Sequence, residues 1–269
     1  NLFEYLTFKT AISAITALII SFIIGPITIK KLQQYQIGEE IRSNGPESHL
    51  AKRGTPTMGG AIIILSTLLP TLLFSDLSNI MVLIIALSTL WMGVIGFIDD
   101  YLKIIIKAKD GMIAQYKMIG QILLGIVISY AIINSGNFNG FNTKTTIPFF
   151  KNFEFDFGIF YPLLVILVIT ATSNAVNLTD GLDGLAIGLL AICFTVFTAI
   201  SYISGRVDFS DYLNILYLPK ASELSIFASA AVGACLGFLW FNSSPAEIFM
   251  GDTGSLSLGA ALGTMSILL

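Results

Sequence analysis

Long stretches of apolar residues fill most of this chain, and short polar segments separate them. The first stretch, residues 11–29, would form a helix about 28 Å long, close to the thickness of the hydrocarbon core of a bilayer. The pattern predicts an all-α polytopic membrane protein whose polar segments lie outside the bilayer. Eight transmembrane helices are predicted, at residues 11–29, 58–74, 80–98, 118–134, 159–176, 185–204, 224–240 and 255–269.

The composition supports a membrane protein and excludes a water-soluble enzyme. Only 12% of the residues are charged, 55% are hydrophobic, and the mean hydropathy is +0.83. Soluble domains carry about 25% charged residues, so this chain has too few to cover a water-facing surface of its size. The net charge of −3 offers no basic surface for nucleic acid. Cys193 and Cys235 lie in apolar stretches, which argues against a disulfide framework or a cysteine metal site.

Lysine and arginine residues indicate how the chain crosses the membrane. The connections 30–57, 99–117, 175–184 and 241–254 hold nine of them, and the other segments hold five. Because basic residues accumulate on the cytoplasmic side, these connections are predicted to be cytoplasmic and the N-terminus external.

Two external segments complete the predicted architecture. Residues 143–149 and 152–157 alternate aromatic and β-branched residues between turn formers, which predicts a β-hairpin. Residues 205–223 are predicted to lie in the membrane interface as a short amphipathic turn. Residues 1–269 are expected to form one transmembrane domain, and the short last stretch predicts truncation at the C-terminus.

Acidic residues concentrate in the predicted cytoplasmic segments, which hold ten of the 17 in the chain. Carboxylates beside a bilayer are costly to desolvate unless they are paired, metal-bound or functional. Asp99 and Asp100 form the first cluster, and two adjacent carboxylates favour a cation beside them because they repel each other. Two solvated residues that simply end a span are an equally good interpretation of this motif taken alone.

The segment 174–184 places polar residues at a constant spacing of three. In a helix, Asn174, Asn177, Asp180 and Asp183 would lie along one side. Glycines at positions 181 and 184 would let the backbone approach a ligand closely. A polar turn after a helix end is the alternative, but polar groups this close to a membrane favour a functional site.

The segment 242–255 contains Gly251-Asp-Thr-Gly-Ser255 at a predicted helix start. It offers free backbone N–H groups, a hydroxyl and a carboxylate together, which suits a phosphate with its divalent metal. An ordinary N-cap by Thr253 or Ser255 is expected as well.

The segment 45–60 adds cations, because Lys52 and Arg53 precede two threonines and several glycines. Anionic lipid headgroups are alternative partners for these two residues. His49 is better interpreted as a hydrogen-bonded loop residue than as a metal ligand. Taken together, the four segments predict a Mg²⁺-assisted phosphate site on the cytoplasmic face, without naming the substrate. A transporter or ion channel, the alternative of another class, would place charges near the bilayer midplane.

The most specific motifs of the chain are residues 52–60, 97–103, 174–184 and 249–255. Together they resemble the bacterial phospho-N-acetylmuramoyl-pentapeptide transferases, a branch of the polyprenyl-phosphate N-acetylhexosamine-1-phosphate transferase superfamily. The resemblance implies transfer of phospho-MurNAc-pentapeptide from UDP-MurNAc-pentapeptide to undecaprenyl phosphate, which gives lipid I and UMP in peptidoglycan synthesis. A sister transferase that uses UDP-GlcNAc is the nearest alternative, and residues 45–60 argue against it.

The same resemblance implies an architecture and a cofactor. The family pattern has ten transmembrane helices, an external N-terminus, a periplasmic hairpin and a homodimeric assembly in the bacterial inner membrane. The last two helices of that pattern, and the histidine-rich cytoplasmic loop between them, are absent from this sequence. Mg²⁺ is the implied cofactor.

Site residues also follow from the resemblance. Asp252, with help from Asn177, is implied as the Mg²⁺ ligand, and Phe249 is implied to stack on uracil in the uridine pocket. The implied catalytic residues are Asp99, Asp100, Asp252 and Lys117. The implied substrate-binding residues are Lys52, Thr57, Lys103, Asn177, Asp180, Gly181, Leu182, Asp183, Asn242, Phe249 and Ser255.

Two mechanisms remain open from the sequence. The acceptor is a phosphate monoester whose second pKa is about 6, so it is mostly ionised at neutral pH. Charge neutralisation and alignment therefore matter more than a strong base. One mechanism is direct in-line attack on the β-phosphate, in which Asp99 orients the acceptor or removes a residual proton. The other is a covalent intermediate on Asp99.

Overall fold

The computed structural model describes residues 2–34, 55–106, 111–138, 142–146 and 154–269, and most of these residues are helical. Two short strands, β1 (Lys144–Thr146) and β2 (Glu154–Asp156), form an antiparallel pair. The predicted helical architecture with a small hairpin is confirmed. The helices are α1 (Leu6–Gln34), α2 (Gly60–Phe74), α3 (Ile80–Ile104), α4 (Ala114–Ile133), α5 (Tyr161–Thr179), α6 (Leu185–Ser204), α7 (Val207–Leu213), α8 (Leu224–Asn242) and α9 (Gly251–Leu268).

Six of these helices are long and apolar enough to cross a membrane, and they show that this is a multi-pass membrane protein. They are α1, α3, α4, α5, α6 and α8. Helix α2 is apolar but has only 15 residues, and α9 is rich in glycine, serine and threonine. A helix coincides with each of the eight predicted stretches, but length and composition do not confirm the count of eight crossings.

The core of the molecule lies around α8 and α9. Helix α8 packs against α1, α2 and α6, while α9 packs against α2, α3 and α5. Both helices are therefore covered by protein on most sides, which explains why small residues can replace large apolar ones there. Gly233 and Gly237 lie against α1, and Gly259 and Gly263 lie against α5. These glycine pairs pack inside the chain.

The predicted hairpin is confirmed in its described part, and the remainder of the two predicted strands lies outside the described residues. Lys144 pairs with Asp156, and the Thr143 hydroxyl donates a hydrogen bond to Asp156 Oδ1 at 2.6 Å. This bond and one from the backbone N–H of Gly158 lower the pKa of Asp156. In the second predicted external segment, the short helix α7 exposes Tyr212.

Candidate active site

One end of the helix bundle holds a cleft of about 310 Å³. Helices α3, α5 and α8 end at this cleft, and α2, α6 and α9 begin there. Twelve of the fifteen predicted site residues line it, together with Ile104 and Gly251. The twelve are Thr57, Asp100, Lys103, Asn177, Asp180, Gly181, Leu182, Asp183, Asn242, Phe249, Asp252 and Ser255. The predicted residue Lys52, like Arg53 and His49, lies outside the described residues.

Asp99 lies behind the cleft wall, with its side chain fully buried. Its Oδ1 accepts a hydrogen bond of 2.6 Å from the backbone N–H of Met112. Its Oδ2 lies 2.8 Å from Lys117 Nζ and also pairs with Lys103. Both oxygens of this carboxylate are therefore held by protein groups.

The same two lysines also contact Asp252 at the start of α9. Asp252 Oδ2 lies 2.6 Å from Lys117 Nζ and 3.1 Å from Lys103 Nζ. The two ammonium groups therefore bridge Asp99 and Asp252. The cation expected beside the adjacent pair Asp99–Asp100 is present at Asp99 as two lysine ammonium groups, and a more distant carboxylate, on α9, shares them.

Asp100 has different partners, because it contacts backbone rather than lysine. Its Oδ1 accepts a hydrogen bond from the N–H of Asp252 at 3.1 Å, and its Oδ2 accepts from the N–H and Oγ1 of Thr253 at 2.9 and 2.6 Å. These N–H groups belong to the first turn of α9, where no partner exists within the helix. Two of the N–H groups that the sequence predicts to be free for a phosphate are therefore occupied by the Asp100 carboxylate.

The predicted N-cap of α9 is also wrong. The residue before the helix is Met250, whose side chain makes no capping hydrogen bond. The Ser255 hydroxyl donates back to the Gly251 carbonyl at 3.0 Å. Ser255 Oγ also lies 2.9 Å from Asn177 Nδ2, the group that donates to Asp252 Oδ1 at 2.9 Å. Asn177 of α5 thus holds the second oxygen of Asp252.

The turn between α5 and α6 also lines the cleft. Helix α5 ends at Thr179, and Asp180, Leu182 and Asp183 follow in an irregular turn that closes at Gly184 in the left-handed region, with φ of 74°. The Asn242 side chain fixes this turn, because its Oδ1 accepts from the N–H of Gly184 at 3.0 Å. Its Nδ2 donates to the Ile248 carbonyl at 2.9 Å.

The predicted alignment at a spacing of three holds for only part of the segment. Asn177, Asp180 and Asp183 line the cleft, whereas Asn174 pairs with Gln121 of α4, at 3.2 Å between Asn174 Nδ2 and Gln121 Oε1. A step of three residues falls short of a full helical turn by about 60°, so the first residue of the series has rotated away from the cleft.

The segment before α2 lies along the segment before α9. The N–H of Phe249 donates to the Pro56 carbonyl at 2.8 Å, and the N–H of Gly59 donates to the Phe249 carbonyl at 2.9 Å. Thr57 lies between these contacts and lines the cleft. A side chain at Gly60 would collide with the backbone of Gly254, so glycine is what lets α2 and α9 begin in contact.

Three carboxylates form a group that could hold a metal ion. Asp99, Asp100 and Asp252 each offer one oxygen, and these atoms lie within 4.8 Å of one another. Among the described residues, this group of three carboxylates pairs with Lys103 and Lys117. Carboxylate oxygens are the ligands that Mg²⁺ prefers.

Some residues of the site were not identified from the sequence. Gly251 lines the cleft with φ of 72°, and a Cβ there would lie 2.7 Å from Asp100 Oδ2. A Cβ at Gly96 would collide with the Asp252 carbonyl. At both positions a side chain would collide with a residue distant in the sequence, and such a contact cannot be predicted from the sequence. Only the motif around Gly251 indicated that this glycine belongs to the site.

Comparison with known proteins gives two family matches. The family model of glycosyl transferase family 4 matches residues 82–269. The phospho-N-acetylmuramoyl-pentapeptide-transferase signature 1 matches residues 52–64.

Individual proteins are similar over the whole chain. One from Citrifermentans bemidjiense is 49% identical over 272 residues, covering 100% of this chain and 74% of that protein. One from Koribacter versatilis is 45% identical, covering 100% of this chain and 75% of that protein. One from Chlorobaculum parvum is 46% identical, covering 99% of this chain and 72% of that protein. All three are named phospho-N-acetylmuramoyl-pentapeptide-transferase.

Proposed function

We propose a reaction for the cleft from the premise that this chain belongs to the phospho-N-acetylmuramoyl-pentapeptide transferases of glycosyl transferase family 4. The protein is a phosphosugar transferase that acts on a nucleotide-linked sugar peptide and a lipid acceptor in the membrane. In the proposed reaction, phospho-MurNAc-pentapeptide moves from UDP-MurNAc-pentapeptide to undecaprenyl phosphate. The products are lipid I and UMP.

The observation that supports this reaction is the convergence of four separate connections on one cleft. Carboxylates of α3 and α9, a lysine of α3, the Phe249 ring and the glycine turn at 181–184 all line a single volume of about 310 Å³. Transfer between two anionic phosphates needs positive charge, alignment and a place for the nucleotide, and this cleft offers groups for each of these needs.

We propose that the nucleotide occupies the side of the cleft formed by Phe249, Gly181, Leu182 and Asp183. Phe249 is partly exposed and lines the cleft, and an aromatic ring is a suitable group to stack on a base such as uracil. Leu182, which also lines the cleft, is 58% exposed. Lys52 belongs to this proposal through the family resemblance alone.

Mg²⁺ is the proposed cofactor, with Asp252 as its ligand and Asn177 beside it. The donor set fits at Asp252, because this member of the carboxylate cluster keeps 16% of its side chain exposed at the cleft. A bound Mg²⁺ would offset the charge of the diphosphate and of the developing leaving group.

The chain's own residues supply the remaining functions. Lys103 and Lys117 are already held at Asp252 by Asp99, so their charges are in place before any phosphate arrives. Thr57 and Ser255 line the same cleft, and Asn242 holds the turn that contains Asp180 through its hydrogen bond from the Gly184 N–H.

We favour direct attack of the lipid phosphate on the β-phosphate, which breaks the bond to UMP. A covalent intermediate would require a free oxygen on Asp99, but both of its oxygens are held and its side chain is buried. In the direct mechanism Asp99 acts by orienting the two lysines.

Release of UMP from UDP-MurNAc-pentapeptide by the purified protein tests this proposal. UMP is expected only when undecaprenyl phosphate and Mg²⁺ are both present, because attack requires the acceptor and charge neutralisation. A burst of UMP without acceptor would contradict direct attack. Equal turnover of UDP-GlcNAc would favour the sister transferase.

We also propose eight crossings, with the cleft on the cytoplasmic side of the bacterial inner membrane. Helix α2 begins at the cleft and α3 returns to it, which supports a crossing by α2 despite its 15 residues. Helix α9 likewise starts at the cleft. The excess of basic residues in these connections supports the cytoplasmic assignment. A homodimer is proposed from the family resemblance alone.

A further inference from the structure

We infer that Asp100 is a positioning residue that caps helix α9 and thereby aims Asp252 into the cleft. The inference rests on the proposed function, because it assigns Asp100 a place in that reaction. Asp99 and Asp100, which the family resemblance implies as a catalytic pair, then have two different roles.

The oxygens of Asp100 are already occupied by protein donors. Oδ1 accepts the Asp252 N–H, and Oδ2 accepts both the N–H and the hydroxyl of Thr253. A carboxylate has roughly four lone-pair sites, so three of them are used. The residue is only 4% exposed. This leaves Asp100 poorly placed to bind a metal ion or to accept a proton from substrate.

The charge of Asp100 is balanced by a helix end. Among the residues that the structure describes, both lysines of the site pair with Asp99 and Asp252, and none pairs with Asp100. The start of α9 carries the positive end of the helix dipole, which a carboxylate stabilises. Since Met250 provides no cap, Asp100 on α3 serves as the cap of α9 from a distant part of the chain.

The backbone around this contact is shaped to admit the carboxylate. Gly251 lies in the left-handed region with φ of 72°, and a Cβ there would approach Asp100 Oδ2 to 2.7 Å and Thr57 Oγ1 to 2.9 Å. Thr253 is buried as well, at 2% exposed. The first turn of α9, which carries Asp252, is thus fixed to α3.

The two aspartates of α3 therefore act together on the position of Asp252 relative to the lysines. Asp99 holds the lysines, and Asp100 holds the backbone of Asp252. Because the two are neighbours on one helix, α3 places the carboxylate that holds the lysines next to the carboxylate that holds the backbone of Asp252.

A double-mutant cycle on Asp100 and Thr253 tests the inference. Asp100→Asn should lower kcat by about 10- to 100-fold, as does loss of a partner that orients a metal ligand. Thr253→Val should lower kcat by about 10-fold, because it removes one hydrogen bond to a charged group. The double variant should be no worse than Asp100→Asn, since both changes break the same contact. Thr253→Ser keeps the hydroxyl and should therefore retain the kcat that Thr253→Val loses.

Binding of Mn²⁺ to each variant, followed by electron paramagnetic resonance, separates positioning from direct ligation. Both Asp100→Asn and Thr253→Val should weaken Mn²⁺ binding, because both release Asp252 from its orientation. The inference would be overturned if the kcat losses of the two single variants multiplied in the double variant. It would also be overturned if Thr253→Val bound Mn²⁺ and turned over substrate as wild type does. Either result would make Asp100 a direct participant.

Matched controls come from positions without such contacts. Thr67 is fully buried and its hydroxyl has no hydrogen-bond partner among the described residues, and Asp211 is exposed in α7. Thr67→Val and Asp211→Asn should therefore behave as wild type. If the wild-type protein releases no UMP, the proposed reaction fails, yet the Mn²⁺ measurements still decide the role of Asp100. If Asp100→Asn does not fold, the Thr253 variants decide it.

Discussion

Individual aspartates in this protein differ by what surrounds them rather than by their own chemistry. Asp99 is buried between two lysines and a backbone N–H, whereas Asp252 keeps 16% of its side chain exposed at the cleft. Asp252 also collects partners from three helices: Lys103 of α3, Lys117 of α4 and Asn177 of α5. It is therefore the carboxylate best placed to meet a ligand.

Asp252→Asn is expected to abolish Mg²⁺-dependent turnover and to leave the fold intact. The amide keeps similar shape but loses the negative charge that a divalent cation and both lysines require. UMP release should be measured over a range of Mg²⁺ concentrations, with thermal unfolding in detergent as the test of the fold. Asp211→Asn serves as the control, and a variant with a normal Mg²⁺ response would refute the metal role of Asp252.

At the level of elements, glycines determine how closely the helices around the site approach. Gly96 lies one turn before Asp99 on α3, and a side chain there would press on the backbone of Asp252 and Thr253. The contact of α3 with α9 is among the most extensive in the molecule. Both helices must meet at this distance for the lysines of the site to reach Asp252.

Gly96→Ala is expected to lower both stability and activity. The added methyl group forces α3 and α9 apart, and overpacking of this kind costs about 1–3 kcal/mol. Gly188→Ala in α6 is the matched control, because nothing lies within 4 Å of a Cβ there. Alanine favours helix over glycine, so this control should be at least as stable as wild type. Equal unfolding temperatures for the two variants would contradict the close contact.

The whole molecule places its polar chemistry at one end and its apolar surface around the sides. Large apolar residues of α1, α3, α4 and α5 are exposed, as expected for helices that face lipid. The hairpin and α7 lie in connections at the opposite end from the cleft, because the helices alternate in direction. Such an arrangement suits an enzyme that takes a water-soluble donor and a membrane-bound acceptor from one side.

Single cysteines should report which end faces the cytoplasm. In a background with Cys193→Ala and Cys235→Ala, Thr145→Cys in the hairpin is expected to react with a membrane-impermeant maleimide on intact spheroplasts. Ser243→Cys, after α8, should react only once the membrane is permeabilised. Both wild-type residues are exposed in the structure, so access to the reagent depends on the membrane alone. Labelling in the reverse pattern would exclude the proposed orientation.

Hydrophobic pattern alone determined the helices of this protein, because a bilayer requires long apolar stretches and leaves polar residues to the connections. The sequence motifs then identified twelve of the residues that line the cleft. Neither could show that the lysines join Asp99 to Asp252, that Asp100 caps α9, or that Asn174 faces α4. Those facts depend on which helices pack together, and the partners are separated by up to 153 positions along the chain.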